Sequence, residues 1–316
     1  MKTEFYNKLI CTEGLTKIDW LKWRQKGIGG SDISSVCNIN PWKSSLALYY
    51  EKTAEIKEDD EENLPAELGT YLEPFMRAKF EKWFKKNEGI DVEVIRLPYI
   101  LQHRTNDIAL ANIDGYIFQP DRGLCAVEIK TTSERNYKDW EEDNLPDYYY
   151  TQCQWYMYVT AMLQCYIVFL IGNRKIGVKL IEINNEVIDK LVEKANYFWN
   201  TFVIPKVPPA PDGTESSKNA LASIYPKEEE GKIIVLEGEE YLKVFNNLEQ
   251  LKLAKKEAEL GIEEANQMFK AKMGTAEMAI CGKKKIIWKE VEKKEYTVKA
   301  SKSRVFRISN YKGGNE

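Results

Sequence analysis

The stretch Asn112-Ile-Asp-Gly-Tyr-Ile-Phe-Gln-Pro-Asp-Arg-Gly-Leu-Cys-Ala-Val-Glu-Ile-Lys-Thr-Thr132 decides how this chain folds. Ile113 to Phe118 is long enough for one strand. Leu124 to Lys130 reads as a second, apolar except for Glu128 and Lys130. Between them, Pro120-Asp121-Arg122-Gly123 makes a hairpin turn, with proline presetting one backbone angle and glycine tolerating the reversal. Side chains alternate along a strand, so Glu128 and Lys130 share a face. An antiparallel hairpin brings Asp114 level with Glu128. Two carboxylates and one ammonium are therefore expected to converge at the end of a small sheet.

Carboxylates that share a site repel one another, and a hard divalent cation relieves the repulsion. Mg²⁺ takes oxygen ligands and retains waters that can be aligned and acidified. A lysine beside it can orient or deprotonate the attacking water, or offset charge developing on a phosphate. Such a set suits phosphodiester hydrolysis. The same residues also read as an ordinary ion pair on an edge strand, because Asp-Gly and Glu-x-Lys are each common.

Upstream of the hairpin, residues 92–100 and 108–118 read as strands. Residues 65–86 form a helical pattern in which Leu68, Tyr71, Leu72, Phe75, Met76, Phe80, Trp83 and Phe84 recur at steps of three and four. Glu73 lies on that helix, either as a carboxylate that joins Asp114 and Glu128 or as an exposed helical side chain. Earlier still, a helix beginning at Asp19 runs into Gly27-Ile-Gly-Gly-Ser31-Asp32. Its glycines allow backbone to approach a ligand closely, and Ser31 or Asp32 can cap the next helix. Arg24, just ahead of this turn, can face a phosphate bidentately or sit on the surface. The turn is no P-loop, for it lacks the Gly-Lys-Ser/Thr ending.

Downstream, a polar connector (133–147) leads to a helix rich in aromatics (148–163). Gln152 within it requires partners wherever it is buried. These partners are core groups, or else DNA or a metal-bound water. Strands at 165–171 and 176–183 and a helix at 187–202 follow. Pro205, Pro208, Pro209, Pro211 and Pro226 mark residues 205–230 as a linker between a domain spanning 1–204 and a C-terminal region spanning 231–316. In that region, Tyr241, Val244, Leu248, Leu251, Ala258, Ile262, Ala265 and Phe269 outline a long amphipathic helix. Short strands are expected at 285–290, 296–300 and 304–308. Residues 283–307 carry ten Lys or Arg against three Glu, a balance of +7 that suits a DNA backbone or a partner.

Composition narrows the classes. With 316 residues, 43% hydrophobic and 12% aromatic, the chain can bury a substantial core. The net charge of −3 announces no global basic field, although a local patch is enough for nucleic acid. No apolar run is long enough for a membrane span and no signal peptide is recognised, so a cytoplasmic, non-membrane protein is expected. Six dispersed cysteines form no Cys-x-x-Cys pair, and His103 is the only histidine. A structural zinc site and an iron–sulfur cluster therefore lack material.

Several stretches together resemble one family. Asp114-Gly115 followed by Val127-Glu-Ile-Lys130 resembles the signature of the PD-(D/E)xK nucleases. The finer resemblance is to the YqaJ-like viral recombinases, the group that includes the phage lambda exonuclease. Trp20-Leu-Lys-Trp-Arg24 with Gly27-Ile-Gly-Gly-Ser31 is similar to that group's first motif. Leu68-Gly-Thr-Tyr-Leu-Glu73 is similar to its helix-glutamate motif, and Tyr150-Thr-Gln152-Cys-Gln154 to its glutamine helix. The four motifs occur in the family's order across roughly residues 16–205.

The resemblance implies a restriction-endonuclease-like α/β core, a central mixed sheet flanked by helices; the C-terminal long helix and small basic β appendage expected from the apolar spacing fall outside the minimal exonuclease. It implies that Asp114, Glu128, Glu73 and the Ile129 carbonyl bind two Mg²⁺ ions, with Mn²⁺ as a substitute. Lys130 would assist the water, Arg24, Ser31 and Asn112 would hold a 5′-terminal phosphate, and Gln152 would support the site. Asn112 departs from the serine found in the lambda enzyme, which puts selectivity for a phosphorylated end in question. The implied activity is 5′-to-3′ degradation of linear duplex DNA, leaving 3′ tails for phage-type recombination. The implied partners are a single-strand annealing protein and further copies of the chain, in the lambda enzyme a ring trimer. The implied setting is a bacterial host and a phage or prophage gene. A structure- or site-selective endonuclease and a non-catalytic DNA-binding recombination protein are the alternatives.

Overall fold

In the computed structural model the described residues are 6–56, 63–141 and 144–292. The chain divides into two compact units, 1–224 and 225–316. The first begins with strand β1 (Tyr6–Cys11) and helices α1 (Lys17–Arg24), α2 (Gly30–Val36), α3 (Ser45–Thr53) and α4 (Leu64–Glu88). Strands β2 (Tyr99–His103), β3 (Leu110–Ala111), β4 (Gly115–Gln119) and β5 (Gly123–Thr132) follow. A short 3-10 helix (Glu134–Trp140) leads to helix α5 (Asp147–Thr160). Strands β6 (Gln164–Ile171) and β7 (Lys175–Glu182) and helices α6 (Asn185–Phe198) and α7 (Glu215–Ile224) complete the unit.

The hairpin forms as its alternation requires. β4 and β5 pair antiparallel, with Gly115 opposite Val127 and Gln119 opposite Gly123. β6 then lies parallel to β5 after the α5 crossover, and β7 returns antiparallel, giving a mixed sheet in the order β4-β5-β6-β7. A second sheet has the order β1-β2-β3.

Period-two alternation divides the core between the two faces of the mixed sheet. Cys125, Val127 and Ile129 of β5, with Tyr166 and Val168 of β6, pack against Met76, Phe80 and Phe84 of α4. Ala126, Cys165, Ile167 and Phe169 face Trp155, Met157 and Val159 of α5 and Leu191 and Phe198 of α6. Each such large side chain contributes about 1.5–3 kcal/mol on full burial. Glu128 and Lys130 follow Ala126 in this alternation, so they point toward α5, away from α4.

Three expectations ahead of residue 225 need correction. Residues 108–118 are not one strand: the segment breaks at Asn112–Asp114, where Asn112 bonds the Tyr99 carbonyl and Asp114 accepts from the Ile129 N–H. The strand expected at 92–100 begins only at Tyr99, and before it a single bridge joins Ile95 to Tyr116. Within the expected linker, residues 215–224 are helical. Thr214 accepts from the Ser217 N–H at the start of α7, and Ser216 accepts from the Ser44 N–H ahead of α3.

In the second unit, helix α8 (Glu239–Met273) is followed by a hairpin of β8 (Met278–Cys281) and β9 (Lys284–Ile287). The strand expected at 285–290 is therefore shorter and displaced. Those expected at 296–300 and 304–308, with much of the basic stretch 283–307, lie outside the described residues. No described helix is long and apolar enough to cross a membrane.

Candidate active site

One cavity of about 170 Å³ gathers most of the residues singled out from sequence. Arg24, Ser31, Asn112, Asp114, Glu128, Lys130 and Gln152 line it, together with Trp20, Gly29, Gly30 and Tyr156. It sits where the glycine turn ahead of α2, the end of β3, the β4–β5 hairpin and α5 meet.

Two close backbone approaches shape this junction. A Cβ on Gly27 would lie 2.3 Å from the Ile108 carbonyl oxygen, and one on Gly30 would lie 2.3 Å from the Tyr156 ring. These two glycines therefore serve protein packing, where the sequence suggested contact with a ligand. The Trp155 indole N–H clamps the junction by donating to the carbonyls of Ile28 and Leu110, at 3.1 and 3.0 Å.

The hairpin supplies the acidic half of the site. Asp114 lies one residue before the last β4–β5 pair and accepts from the Ile129 N–H at 2.8 Å. Glu128, only 2% exposed, uses one oxygen to accept from Gln152 at 2.6 Å and to meet Lys130 at 2.5 Å. Gln152 also donates to the Tyr156 hydroxyl at 2.8 Å, so α5 fixes the Glu128 rotamer through two consecutive bonds.

Burial, followed by the charge of Asp114, pushes the Glu128 carboxyl up to about 8. Burial also raises Asp114, against the opposing pull of Lys130 and the Ile129 N–H. Desolvation disfavours the charged form of Lys130, but the adjacent Glu128 and Asp114 outweigh it and hold the ammonium above its usual range. The site thus concentrates negative charge that its own cation only partly offsets.

The donor set fits a divalent cation. The second oxygen of Glu128 is buried with no hydrogen-bond partner, a costly arrangement unless a ligand completes it. Hard carboxylate oxygens are the donors that Mg²⁺ prefers. Among the described residues, however, no three acidic, His or Cys side chains converge closely enough to cage a metal ion.

Glu73 is the residue that stands apart. It is not among those lining the cavity, and Arg77, one helical turn on, bonds it at 2.6 Å. The cause is the sheet. α4 packs on the face of Val127 and Ile129, whereas Glu128 points to the opposite face. Even so, Glu73 feels the negative charge of Asp114, and its carboxyl is raised first by burial and then by that charge.

The other side of the cavity is cationic. Arg24 donates through Nη2 to the Ser31 hydroxyl at 2.8 Å and to Asp32 at 2.9 Å, and its guanidinium lies 4.8 Å from the Trp20 ring centre. Asp32 was expected only as a helix cap, and Lys52, Arg77 and Tyr156 were not among the residues expected at the site. Arg77 and Tyr156 could have been found four residues after Glu73 and Gln152, where helical side chains meet. Lys52 carries no such local signal.

A family model described as the YqaJ-like viral recombinase domain matches residues 19–163. The uncharacterized protein YqaJ of Bacillus subtilis (strain 168) is 32% identical over 285 residues, covering 88% of this chain and 84% of that protein. The chain belongs to the YqaJ-like viral recombinase family. With this membership, it is a nuclease of the PD-(D/E)xK type that acts on DNA. Among solved structures, LHK-Exo in complex with dAMP is 18% identical over 58% of this chain and 91% of its own, with a TM-score of 0.46. A phage-related exonuclease from Haemophilus somnus 129PT is 16% identical over 55% of this chain and 94% of its own, with a TM-score of 0.37.

Proposed function

We propose that this YqaJ-like protein is a metal-dependent exonuclease that removes nucleotides from the 5′ ends of linear duplex DNA and leaves 3′ single-stranded tails. The observation that carries this reading is the two-sided cavity. Arg24 and Ser31 offer an anion site in the same cavity of about 170 Å³ as the carboxylates of Asp114 and Glu128. A cationic stop beside a hydrolytic centre suits a terminal phosphate and thereby registers the strand end relative to the bond to be cut. A site acting within closed DNA has no need of such a stop, so the reading favours the exonuclease over an endonuclease.

Asp114, Glu128 and the Ile129 carbonyl would hold Mg²⁺, or Mn²⁺ in its place, and Glu73, which feels the charge of Asp114, would join them from the Asp114 side at the end of the sheet. Bound there, the ion supplies Lewis-acid charge to the phosphodiester and to the departing 3′ oxygen. Lys130 orients the attacking water and offsets charge on the phosphate, and Gln152 keeps Glu128 aimed at the cavity. Asn112, which lines the same cavity, donates to the terminal phosphate. A single-strand annealing protein that takes up the 3′ tail, and association of several copies around the duplex, complete the reading.

Incubation with linear and covalently closed duplexes of the same sequence, in Mg²⁺ or in chelator, tests it. Loss of the linear form only, and only with metal, is expected. Linearised circles would transfer the protein to the endonucleases. Tight binding without turnover in either condition would leave a DNA-binding recombination protein.

A further inference from the structure

Asp32 and Lys52 form a buried ion pair behind the anion side of the cavity, and nothing in the hydrolytic centre requires it. The Asp32 side chain is fully buried and that of Lys52 is 3% exposed. One Asp32 oxygen accepts from Arg24 Nη2 at 2.9 Å. The other accepts from Lys52 Nζ at 2.7 Å and from the Gly29 N–H at 3.0 Å. Lys52 also donates to the Arg24 backbone carbonyl at 2.9 Å, so it holds both ends of that residue's surroundings.

Burying two charges costs several kcal/mol per ion, and apolar replacements of similar volume often serve stability as well. A helix cap at Gly29 would need Asp32 alone. What Lys52 adds is charge balance. An Arg–Asp pair by itself is neutral and attracts an anion poorly. Lys43, which meets both Asp32 and Glu51, leaves that balance unchanged, and with Lys52 the cluster of three cations and two carboxylates carries +1. Among the described residues, the hydrogen bonds of the Arg24 guanidinium fall on Nη2 and its plane lies over the Trp20 ring, which leaves the Nε and Nη1 N–H groups to donate singly to a phosphate.

The geometry points to Lys52, acting through Asp32, as a positioning residue that fixes the Arg24 guanidinium and preserves its charge for a 5′-terminal phosphate. This inference rests on the reading of Arg24 as the end-phosphate contact. Lys52 touches no substrate; its effect is on the selection of ends.

The test compares kcat/KM on linear duplexes with 5′-phosphate and 5′-hydroxyl termini for wild type, Arg24→Ala, Lys52→Met and Lys52→Arg. Each preparation is compared with itself across the two substrates, so the ratio is independent of the fraction folded. Wild type is expected to prefer phosphate and Arg24→Ala to lose that preference. Lys52→Met should cut the preference roughly tenfold through KM on phosphate ends, with kcat changed less than about twofold, and Lys52→Arg should keep it within about threefold. If Arg24→Ala loses the preference and Lys52→Met keeps it, the positioning role is overturned. Equal losses on both kinds of end for both Lys52 variants would likewise overturn it, leaving a structural role. If wild type shows no preference, or Arg24→Ala retains one, the phosphate reading itself fails and this inference with it.

Discussion

Replacing Asp114 with asparagine should make the metal-free protein more stable while abolishing its activity. Asp114 and Glu128 share a buried site in which burial raises both carboxyls, and the charge of Asp114 adds to the rise of Glu128, to about 8. A carboxyl raised in the folded state costs stability once the unfolded chain ionises. The cost is absent below the usual carboxyl range, grows as pH rises past about 4, and is fully expressed above about 8. The substituted amide keeps an oxygen to accept from the Ile129 N–H and removes the charge that acts on Glu128. Lys130 loses one carboxylate neighbour but keeps Glu128 at 2.5 Å.

The net gain is on the order of 1–2 kcal/mol. For a unit of this size that is about 2–8 °C in Tm. The assay is a melting series in chelator at several pH values from about 5 to 8.5, repeated with Mg²⁺. Asp114→Asn should melt higher than wild type at the upper end, with the gap closing toward the lower. It should lose most of the Mg²⁺-induced rise in Tm that wild type shows. Its nuclease rate should fall by roughly 10³-fold or more, the several kcal/mol that metal charge contributes to such a transition state. A variant less stable than wild type in chelator, or one that Mg²⁺ stabilises as strongly, would refute the reasoning.

Other substitutions probe the parts around this centre. Gln152→Leu removes the 2.6 Å donor to Glu128 and should weaken Mg²⁺ binding or activity by about 10–100-fold, read by titration calorimetry and initial rates. Gly30→Ala forces a methyl against the Tyr156 ring and should cost about 1–3 kcal/mol in a denaturant melt; an unchanged midpoint would argue against the packing described. Asp32 is held well below the usual carboxylate range by Arg24, Lys52 and Lys43, although its burial works in the opposite direction. Its stabilising contribution is therefore present above the unfolded value of 3.8 and fades as pH falls below it. Asp32→Asn should cost about 3–5 kcal/mol at pH 7, and the deficit should shrink in acid melts below about pH 4.

The sequence was most legible where a local rule acts alone. The Pro120–Gly123 turn and the alternation around it determine the β4–β5 hairpin. The apolar steps from Leu68 to Phe84 mark α4, and the aromatic run from Tyr148 marks α5, each to within a few residues. Legibility failed where side chains of the site override the backbone pattern. Asn112 and Asp114 sit inside an apolar alternation that promises one strand, but each bonds a neighbouring backbone and the strand breaks. Residues 215–224 were hidden by the prolines before them, although Thr214 supplies the cap. The brace between Lys52 and Asp32 depends on how α3 packs beside the glycine turn, over twenty residues away, and no local pattern reports that. Glu73 was legible as a helical carboxylate, but which face of the sheet it served was not.

The most direct measurement is a time course on linear duplex DNA labelled separately at each strand end, in Mg²⁺ and in chelator, with wild type and Glu128→Gln side by side. Stepwise loss of 5′ label with the 3′ label retained, only in Mg²⁺ and only for wild type, is the predicted result. Loss from the 3′ ends, cleavage in chelator, or a Glu128→Gln variant that degrades DNA at the wild-type rate would contradict the account.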